Sequence, residues 1–267
     1  MKKKNKVFVI TGASSGIGKE AANYFYSQGH KVIGLSRSYP KEEYKYDYIL
    51  CDLGKKEDIE RAAEEIAKKV DYVDVLVNCA GIGISGALEY TTYEEAEKIM
   101  SINVLGQFYI SRQMIPLLRK SSDAKIINIG SVAGELTIPF QTFYTMSKSA
   151  IHRFTEGLRI ELKPFHIGVS TVLPGDTKTS FTDNRFQPNV VENELYKDRI
   201  KRSISKMEHD EQNGMSPMSV VKVIDRLVKR KNMPIHVTVG LSYKILILLS
   251  RILPKRLVYW IITKMYG

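Results

Sequence analysis

The sequence predicts a single-domain α/β fold, a doubly wound parallel sheet with helices on both of its faces. Short apolar runs alternate along the chain with longer segments whose apolar residues recur at helical spacing. The short runs are continuously apolar, which is typical of parallel strands that are buried on both sides. The 267 residues are enough for one sizeable core, and no segment has the composition of a linker or a repeat.

The elements are expected in the order strand, turn and helix, repeated along the chain. Apolar runs predict strands at residues 6–11, 31–36, 47–51, 73–78, 125–130 and 167–173. Helical spacing predicts helices at residues 16–28, 56–69, 92–120 and 143–165. Residues 174–215 depart from this order. Because long connections in compact domains are usually functional, we expect there a partly helical lid over a site.

The composition excludes several classes of protein. With 43% hydrophobic and 26% charged residues, the chain resembles a folded soluble protein. No apolar run is long enough for a transmembrane helix, and the one after the N-terminal lysines is too short for a signal peptide. We therefore expect a cytoplasmic protein. Cys51 and Cys79 have neither metal-site nor disulfide-framework spacing, and no metal is expected.

A glycine-rich turn, TGASSGIG at residues 11–18, follows the first strand and opens the first helix. Gly12 permits the tight turn, Gly16 lets the backbone approach a pyrophosphate, and Gly18 lets the helix pack on the strand. The free N–H groups and the positive end of the helix would hold the anion. We expect dinucleotide contacts from this turn, at Gly12, Ser14, Ser15, Gly16, Ile17 and Gly18.

The residues at the end of the second strand indicate whether NAD(H) or NADP(H) is the preferred dinucleotide. An acid there would accept hydrogen bonds from the adenine ribose and repel a 2′-phosphate, whereas this chain has Ser36, Arg37 and Ser38. A guanidinium suits a phosphate, so NADP(H) is favoured over NAD(H), with a solvated surface charge as the alternative for Arg37. Asp52, followed by Leu53, is placed to meet the adenine or to cap the helix at 56–69.

Further motifs give the chain a family resemblance between residues 6 and 239. In order, they are Asn78-Cys79-Ala80-Gly81, Asn103, Ser131, Tyr144 with Lys148, and PGDTKT at residues 174–179. With the glycine turn, they resemble the classical short-chain dehydrogenase/reductase family, in which a second Asn is common where Cys79 stands. The resemblance implies hydride transfer between nicotinamide and a carbonyl or secondary alcohol. It also implies cofactor contacts at Asn78, Ala80, Gly81, Tyr144, Lys148, Pro174, Gly175, Thr177 and Thr179.

The expected reacting group is Tyr144, four residues before Lys148 on one helix face. A nearby ammonium, together with the positive nicotinamide ring, favours phenolate and is expected to lower the tyrosine pKa, so that Tyr144 exchanges a proton with the substrate oxygen. Lys148 is also expected to hold the nicotinamide ribose, and Ser131 the carbonyl oxygen. The resemblance implies that Asn103 belongs to a water-linked proton path, and a helix-bending core residue is its alternative.

The substrate is expected to be apolar, such as a steroid, retinoid, lipid or aromatic carbonyl compound. The predicted walls are mostly aliphatic or aromatic and include Leu136, Ile138, Phe140, Phe181, Phe186 and Met215. Asp176 and Lys178, which lie between the cofactor-binding threonines, are interpreted as solvent-facing charges. No helix-turn-helix or distributed basic face is present, so a nucleic acid is not an expected partner.

Residues 240–267 are predicted as a basic amphipathic extension to a dinucleotide-binding and catalytic domain of residues 1–239. Two short helices are expected in it, at residues 243–253 and 255–266, and the second has an apolar stripe of Leu257, Trp260, Ile261 and Met265. Five Lys or Arg and no acid favour peripheral contact with an anionic membrane. A dimer interface and a cap over the substrate pocket are the other interpretations of the stripe.

Two functions remain open at this point, an active NADP(H)-dependent oxidoreductase and a catalytically idle NADPH-sensing protein that acts through its lid and tail. The presence of Ser131, Tyr144 and Lys148 together favours the enzyme, because a sensor is free to lose them. The family resemblance further implies a homodimer or homotetramer that assembles through the long helices around Asn103 and Tyr144.

Overall fold

The structure, a computed structural model, describes residues 5–182, 185 and 195–266. Its centre is a seven-stranded sheet in the order β3-β2-β1-β4-β5-β6-β7, and every neighbouring pair is parallel. The strands are β1 Val7–Thr11, β2 Lys31–Ser36, β3 Asp47–Leu50, β4 Val75–Asn78, β5 Lys125–Ile129, β6 Gly168–Leu173 and β7 His236–Thr238. The predicted doubly wound sheet is confirmed. Its strand order reverses at β1, which pairs with β2 on one side and β4 on the other.

Helices connect and cover these strands. They are α1 Gly16–Ser27, α2 Lys56–Lys69, α3 Tyr93–Met100, α4 Gln107–Leu118, α5 Thr142–Leu162, α6 Lys197–Gln212, α7 Pro217–Lys229, α8 Leu241–Ile252 and α9 Lys255–Tyr266. Short 3₁₀ turns occur at Leu88–Tyr90, Val132–Gly134 and Lys163–Phe165. Helix α7 and strand β7 were not predicted from the sequence. Within the described residues, no helix is both long and apolar enough to cross a membrane.

Each face of the sheet has its own hydrophobic core, because successive strand residues point to opposite sides. Phe8 and Ile10 of β1 pack on one side, where α1 and α7 cover the sheet. Val9 packs on the other side, against residues of α2, α4 and α5. All three side chains are completely buried. This two-sided burial explains why the strands are continuously apolar in the sequence.

The predicted helix at residues 92–120 is not uniform. It consists of α3, a π-helical segment Ser101–Gly106, and α4. Helix α3 begins with a capping box in which Thr92 and Glu95 bond each other's backbone N–H groups. Asn103 lies within the π-helical segment and is completely buried. Such segments are frequent at functional sites, because the extra residue per turn redirects side chains.

Candidate active site

A cavity of about 1000 Å³ lies at the carboxyl ends of the strands, beside the point where the strand order reverses. Ser131, Tyr144 and Lys148 line it, and so do all the predicted cofactor residues except Asn78. These are Gly12, Ser14, Ser15, Gly16, Ile17, Gly18, Ser36, Arg37, Asp52, Leu53, Ala80, Gly81, Pro174, Gly175, Thr177 and Thr179. One cavity therefore brings together the two predicted halves of the site.

The glycine turn has the form that a pyrophosphate requires. Gly12 and Gly16 have φ angles of 69° and 52°, in the left-handed region that favours glycine. A Cβ atom on Gly12 would lie 2.9 Å from the backbone of Ala80, so a side chain at this position would collide with the loop that follows β4. The side chain of Ser15, the N-cap of α1, makes no capping hydrogen bond, which leaves the first N–H groups of the helix available for an anion. The residues present therefore fit a dinucleotide.

At the end of β2 the cleft is lined by a cation and hydroxyl groups. Arg37 is exposed, and Ser38 and Lys41 lie along the same wall. Lys41 was not predicted as a cofactor residue. Ser36 donates its hydroxyl to the carbonyl of Ser38 at 2.6 Å, so it shapes this turn besides lining the cleft. Glu42 also lies here, paired with Lys19 at 2.8 Å.

Asp52 does not cap α2. Its carboxylate accepts a hydrogen bond from the N–H of Gly54 at 2.9 Å, and the N-cap position of the helix is Lys55. The capping interpretation is therefore wrong, and Asp52 lies in the wall of the cleft.

Asn78 is a scaffold residue, which corrects its assignment as a cofactor contact. It ends β4, is completely buried, and does not line the cavity. Its amide donates to Ser111 of α4 and to Asn128 of β5, each at 2.9 Å. The side chain points away from the cleft and joins the sheet to the helix behind it.

Tyr144 and Lys148 lie on α5, one helical turn apart, with Ser131 facing them from the end of β5. The Lys148 nitrogen is 5.8 Å from the centre of the Tyr144 ring and donates a hydrogen bond to the carbonyl of Ile129 at 3.0 Å. The Ser131 side chain hydrogen-bonds Tyr144 and also accepts from the N–H of Ala133 at 3.0 Å. A hydroxyl, a phenol and an ammonium thus converge on one region of the cavity.

Burial controls the protonation of this group. It raises the pKa of Tyr144 to about 12, and the hydrogen bond with Ser131 lowers that pKa only in part. Burial likewise lowers the pKa of Lys148 to about 8. The expectation that the Lys148 ammonium and the nicotinamide ring together lower the tyrosine pKa concerns the cofactor complex and stays a prediction. In the protein alone, desolvation disfavours the charged form of each residue. Tyr144 therefore holds its proton at neutral pH and is prepared to donate it.

Asn103 holds the loop after β4 in place. Its amide oxygen accepts from the N–H of Ile82 at 2.8 Å, and its amide nitrogen donates to the Ile82 carbonyl at 2.9 Å and to Ser147 at 3.0 Å. Asn103 does not line the cavity. A Cβ atom on Gly81 would lie 3.2 Å from its oxygen and 3.5 Å from the Lys148 nitrogen, so both polar atoms lie close to Gly81 and a side chain there would crowd them.

Comparison with known proteins identifies the family. The profile of the family described as short chain dehydrogenase matches residues 6–189. The chain belongs to that family. A 3-ketodihydrosphingosine reductase of Bacteroides thetaiotaomicron is 39% identical over 247 residues, 92% of each chain. A probable short-chain type dehydrogenase/reductase of Helicobacter pylori is 31% identical, again over 92% of each.

The fold comparison agrees. A short-chain dehydrogenase from Streptomyces avermitilis superposes with a TM-score of 0.82 and 27% identity, covering 94% of this chain and 93% of that one. Solved structures with this fold hold NADH in one case and NADPH in another. The chain is thus an oxidoreductase of a family that binds nicotinamide cofactors.

On the substrate side of this short-chain dehydrogenase, three of the predicted wall residues line the cavity, namely Leu136, Ile138 and Phe181. The ring of Phe181 lies 5.6 Å from that of Tyr144. Phe140 and Met215 do not line it. Phe140 packs among residues of α6, and Met215 packs against the core beside α7. Phe186 lies outside the described residues.

The C-terminal helices α8 and α9 form the roof of the cavity. Their inward faces contribute Tyr243, Leu246, Leu249, Ser250, Leu253, Val258, Ile261, Ile262, Met265 and Tyr266 to its lining. The inward faces of the two helices therefore form a cap over the pocket, one of the interpretations that the sequence left open. The predicted apolar stripe divides: Ile261 and Met265 line the cavity, whereas Leu257 and Trp260 do not.

Asp176 corrects another expectation, because it is half-buried in the cavity wall rather than solvent-facing. The Tyr243 hydroxyl donates to its carboxylate at 2.5 Å and accepts from its N–H at 3.1 Å. Burial raises the pKa of Asp176. This pair fastens the loop after β6 to α8, and the sequence held no signal for it. Lys178 is exposed, as expected.

Proposed function

We propose that this protein is an NADP(H)-dependent oxidoreductase that interconverts the carbonyl group and secondary alcohol of an apolar, long-chain substrate. The observation that carries the proposal is the position of Tyr144, Ser131 and Lys148 under an apolar roof formed by α8 and α9. The bacterial relative named 3-ketodihydrosphingosine reductase supports the same substrate class, because its match covers 92% of this chain and 92% of its own.

The chain's own residues account for binding and proton transfer. The glycine turn and the loop at residues 174–179 would hold the dinucleotide, with Arg37 at its 2′-phosphate. Bound NADPH supplies the hydride. Ser131 would hold the ketone oxygen, and Tyr144 would give that oxygen its proton as negative charge develops there. Lys148 would hold the nicotinamide ribose and, through Asn103, communicate with water.

The shape and polarity of the cavity favour a long amphiphile. Apolar side chains of α8 and α9 supply most of one wall, and residues 174–181 lie beside it. The predicted lid at residues 174–215 falls partly outside the described residues. The polar groups of that wall are few and include Asp176, Glu211 and Tyr266. They would meet the amino and hydroxyl groups of a substrate such as 3-ketodihydrosphingosine, while its chain lies under the roof.

A ketone panel tests this proposal directly. NADPH oxidation is followed with 3-ketodihydrosphingosine, a ketosteroid, retinal and a short water-soluble ketone. Each buried methylene contributes about 0.8 kcal/mol, so kcat/KM for the long-chain ketone should exceed that for the short one by at least about 100-fold. Equal kcat/KM values for the long and short ketones, or no turnover of either, would contradict the proposal.

Assembly and location belong to the same proposal. Leu105 of the π-helical segment, Phe108 of α4 and Ile160 of α5 are exposed and would be covered in a homodimer or homotetramer. The free cysteines fit a reducing cytoplasm. Because a long-chain ketone resides in membranes, the enzyme would work at a membrane surface, in peripheral contact through residues 240–267.

A further inference from the structure

The outer faces of α8 and α9 concentrate exposed apolar side chains. Of the 22 large apolar or aromatic side chains exposed within the described residues, ten lie in these two helices. On α8, the exposed residues Leu241, Ile245, Leu248 and Ile252 follow at intervals of four, three and four, so they form one outward stripe. On α9, Trp260 is 60% exposed. A contiguous surface of this kind marks an interaction site.

All the charged side chains of the two helices themselves are basic. Residues 240–267 contain five Lys or Arg and no Asp or Glu. Lys244 and Arg251, seven residues apart, flank the α8 stripe, and Arg251 also contacts Glu135 at 3.3 Å. In a symmetric dimer through this surface, Lys244 and Arg251 of a second copy would lie close to Lys244 and Arg251 of the first, and the like charges would repel each other. An anionic bilayer instead complements both the apolar stripe and the charge that flanks it.

The same surface contains the rim of the catalytic cavity. Leu246, Leu249 and Met265 are 38%, 45% and 48% exposed, and all three also line the cavity. The helices are held to the body by their inner faces, where Ile247 and Val258 are buried against residues that follow β5. Part of the cavity lining is therefore exposed within the apolar surface of α8 and α9.

We propose that the outer faces of α8 and α9 dock on an anionic phospholipid bilayer. In this position, the opening at Leu246, Leu249 and Met265 faces the bilayer, and a membrane-resident ketone reaches Tyr144 without crossing water. The docking follows from the surface alone. The passage of the ketone rests on the proposed function.

Sedimentation with vesicles tests the docking, using the full-length protein and vesicles of phosphatidylglycerol with phosphatidylcholine or of phosphatidylcholine alone. The parent protein should bind the anionic vesicles at least about tenfold more strongly. Leu248→Glu and Trp260→Glu place a carboxylate in the outer surface without altering the cavity lining, and each should weaken binding at least about tenfold. Tyr93→Glu, at a 78% exposed aromatic residue of α3, is the matched control and should bind as the parent does.

Activity measurements on the same variants separate docking from folding. Trp260→Glu should reduce a short water-soluble ketone at the parental rate, and should reduce the long-chain ketone in anionic vesicles at least about tenfold more slowly. If Trp260→Glu fails to bind NADPH and is therefore misfolded, Lys244→Glu tests the charge alone, and should weaken binding to anionic vesicles only.

Four results would overturn the inference. The first is that the parent protein does not sediment with anionic vesicles, and the second is that Trp260→Glu and Tyr93→Glu bind those vesicles equally strongly. The third is that Trp260→Glu reduces the vesicle-embedded ketone at the parental rate. The fourth is that the variants of α8 and α9 have a lower oligomeric mass than the parent protein. The last result would show that a second copy covers the surface. Parent protein that binds vesicles but reduces no ketone would instead refute the proposed function and leave the docking intact.

Discussion

At the scale of single residues, burial affects the protonation of Tyr144 and Lys148 more than their charge interaction with each other does. Tyr144 and Lys148 lie in one dry pocket, where desolvation favours the neutral form of both. The sequence predicted the two residues correctly as a cavity-lining pair, because their spacing of four places them on one helix face. It could not predict the direction in which the tyrosine pKa moves, since that depends on how deeply the fold buries Tyr144.

The pH dependence of ketone reduction follows from these shifts. The folded-state pKa of Lys148 is lowered to about 8, so its positive charge is present below that pH and is lost as the pH rises through it. Tyr144, with a pKa of about 12, keeps its proton over the same range. We expect kcat/KM for the ketone to fall above about pH 8. Lys178→Gln, which changes an exposed lysine of the same cleft, should keep this profile. A kcat/KM that does not change up to about pH 9.5 would contradict the prediction.

Arg37 is the residue that we propose selects between NADPH and NADH. Replacing it with alanine removes the guanidinium expected to bind the 2′-phosphate, and charge-assisted hydrogen bonds of this kind contribute about 1.5–3 kcal/mol. Arg37→Ala should therefore weaken NADPH binding about 10-fold or more, and NADH binding about twofold or less. Fluorescence titration of both cofactors measures this. Equal losses for NADPH and NADH would exclude the 2′-phosphate role.

At the scale of elements, the sequence predicted a strand or a helix in most places where the element is long enough to show an apolar run or helical spacing. Six strands and the helices between them were predicted because each has its own apolar run or helical spacing. Strand β7 has three residues, all half-buried, which is too short for a pattern. Helix α7 did carry a usable signal, since Ser216 caps it and Pro217 occupies its first turn. The contact of Asp176 with Tyr243 joins residues 67 apart, and no local pattern encodes it.

The π-helical segment between α3 and α4 gives a stability prediction. Asn103→Ala leaves the N–H and carbonyl groups of Ile82 without their side-chain partner in a partly buried site. We expect the free energy of unfolding to fall by about 1–3 kcal/mol in urea denaturation. Asn213→Ala, at the exposed end of α6, is the control and should cost less than about 1 kcal/mol. Similar losses in both variants would mean that Asn103 does not hold the loop.

At the scale of the whole molecule, one cavity joins two parts of the chain that have different sequence signals. The dinucleotide cleft is built from motifs at the carboxyl ends of the strands, and these could be found because each motif is short and contiguous. The roof is built from amphipathic helices whose partners are not visible in the sequence. Amphipathic spacing shows that a helix has an apolar face, and only the fold shows what that face covers.

The reaction assigned to that cavity depends on Tyr144, and its replacement is the most direct test. Tyr144→Phe removes the hydroxyl and keeps the ring that packs beside Phe181. General acid catalysis contributes about 10²–10⁴-fold, so NADPH-dependent ketone reduction should fall by at least about 100-fold, while the dissociation constant for NADPH changes about twofold or less. Turnover that is unchanged in Tyr144→Phe would contradict the assignment, as would a loss of NADPH binding equal to the loss of turnover.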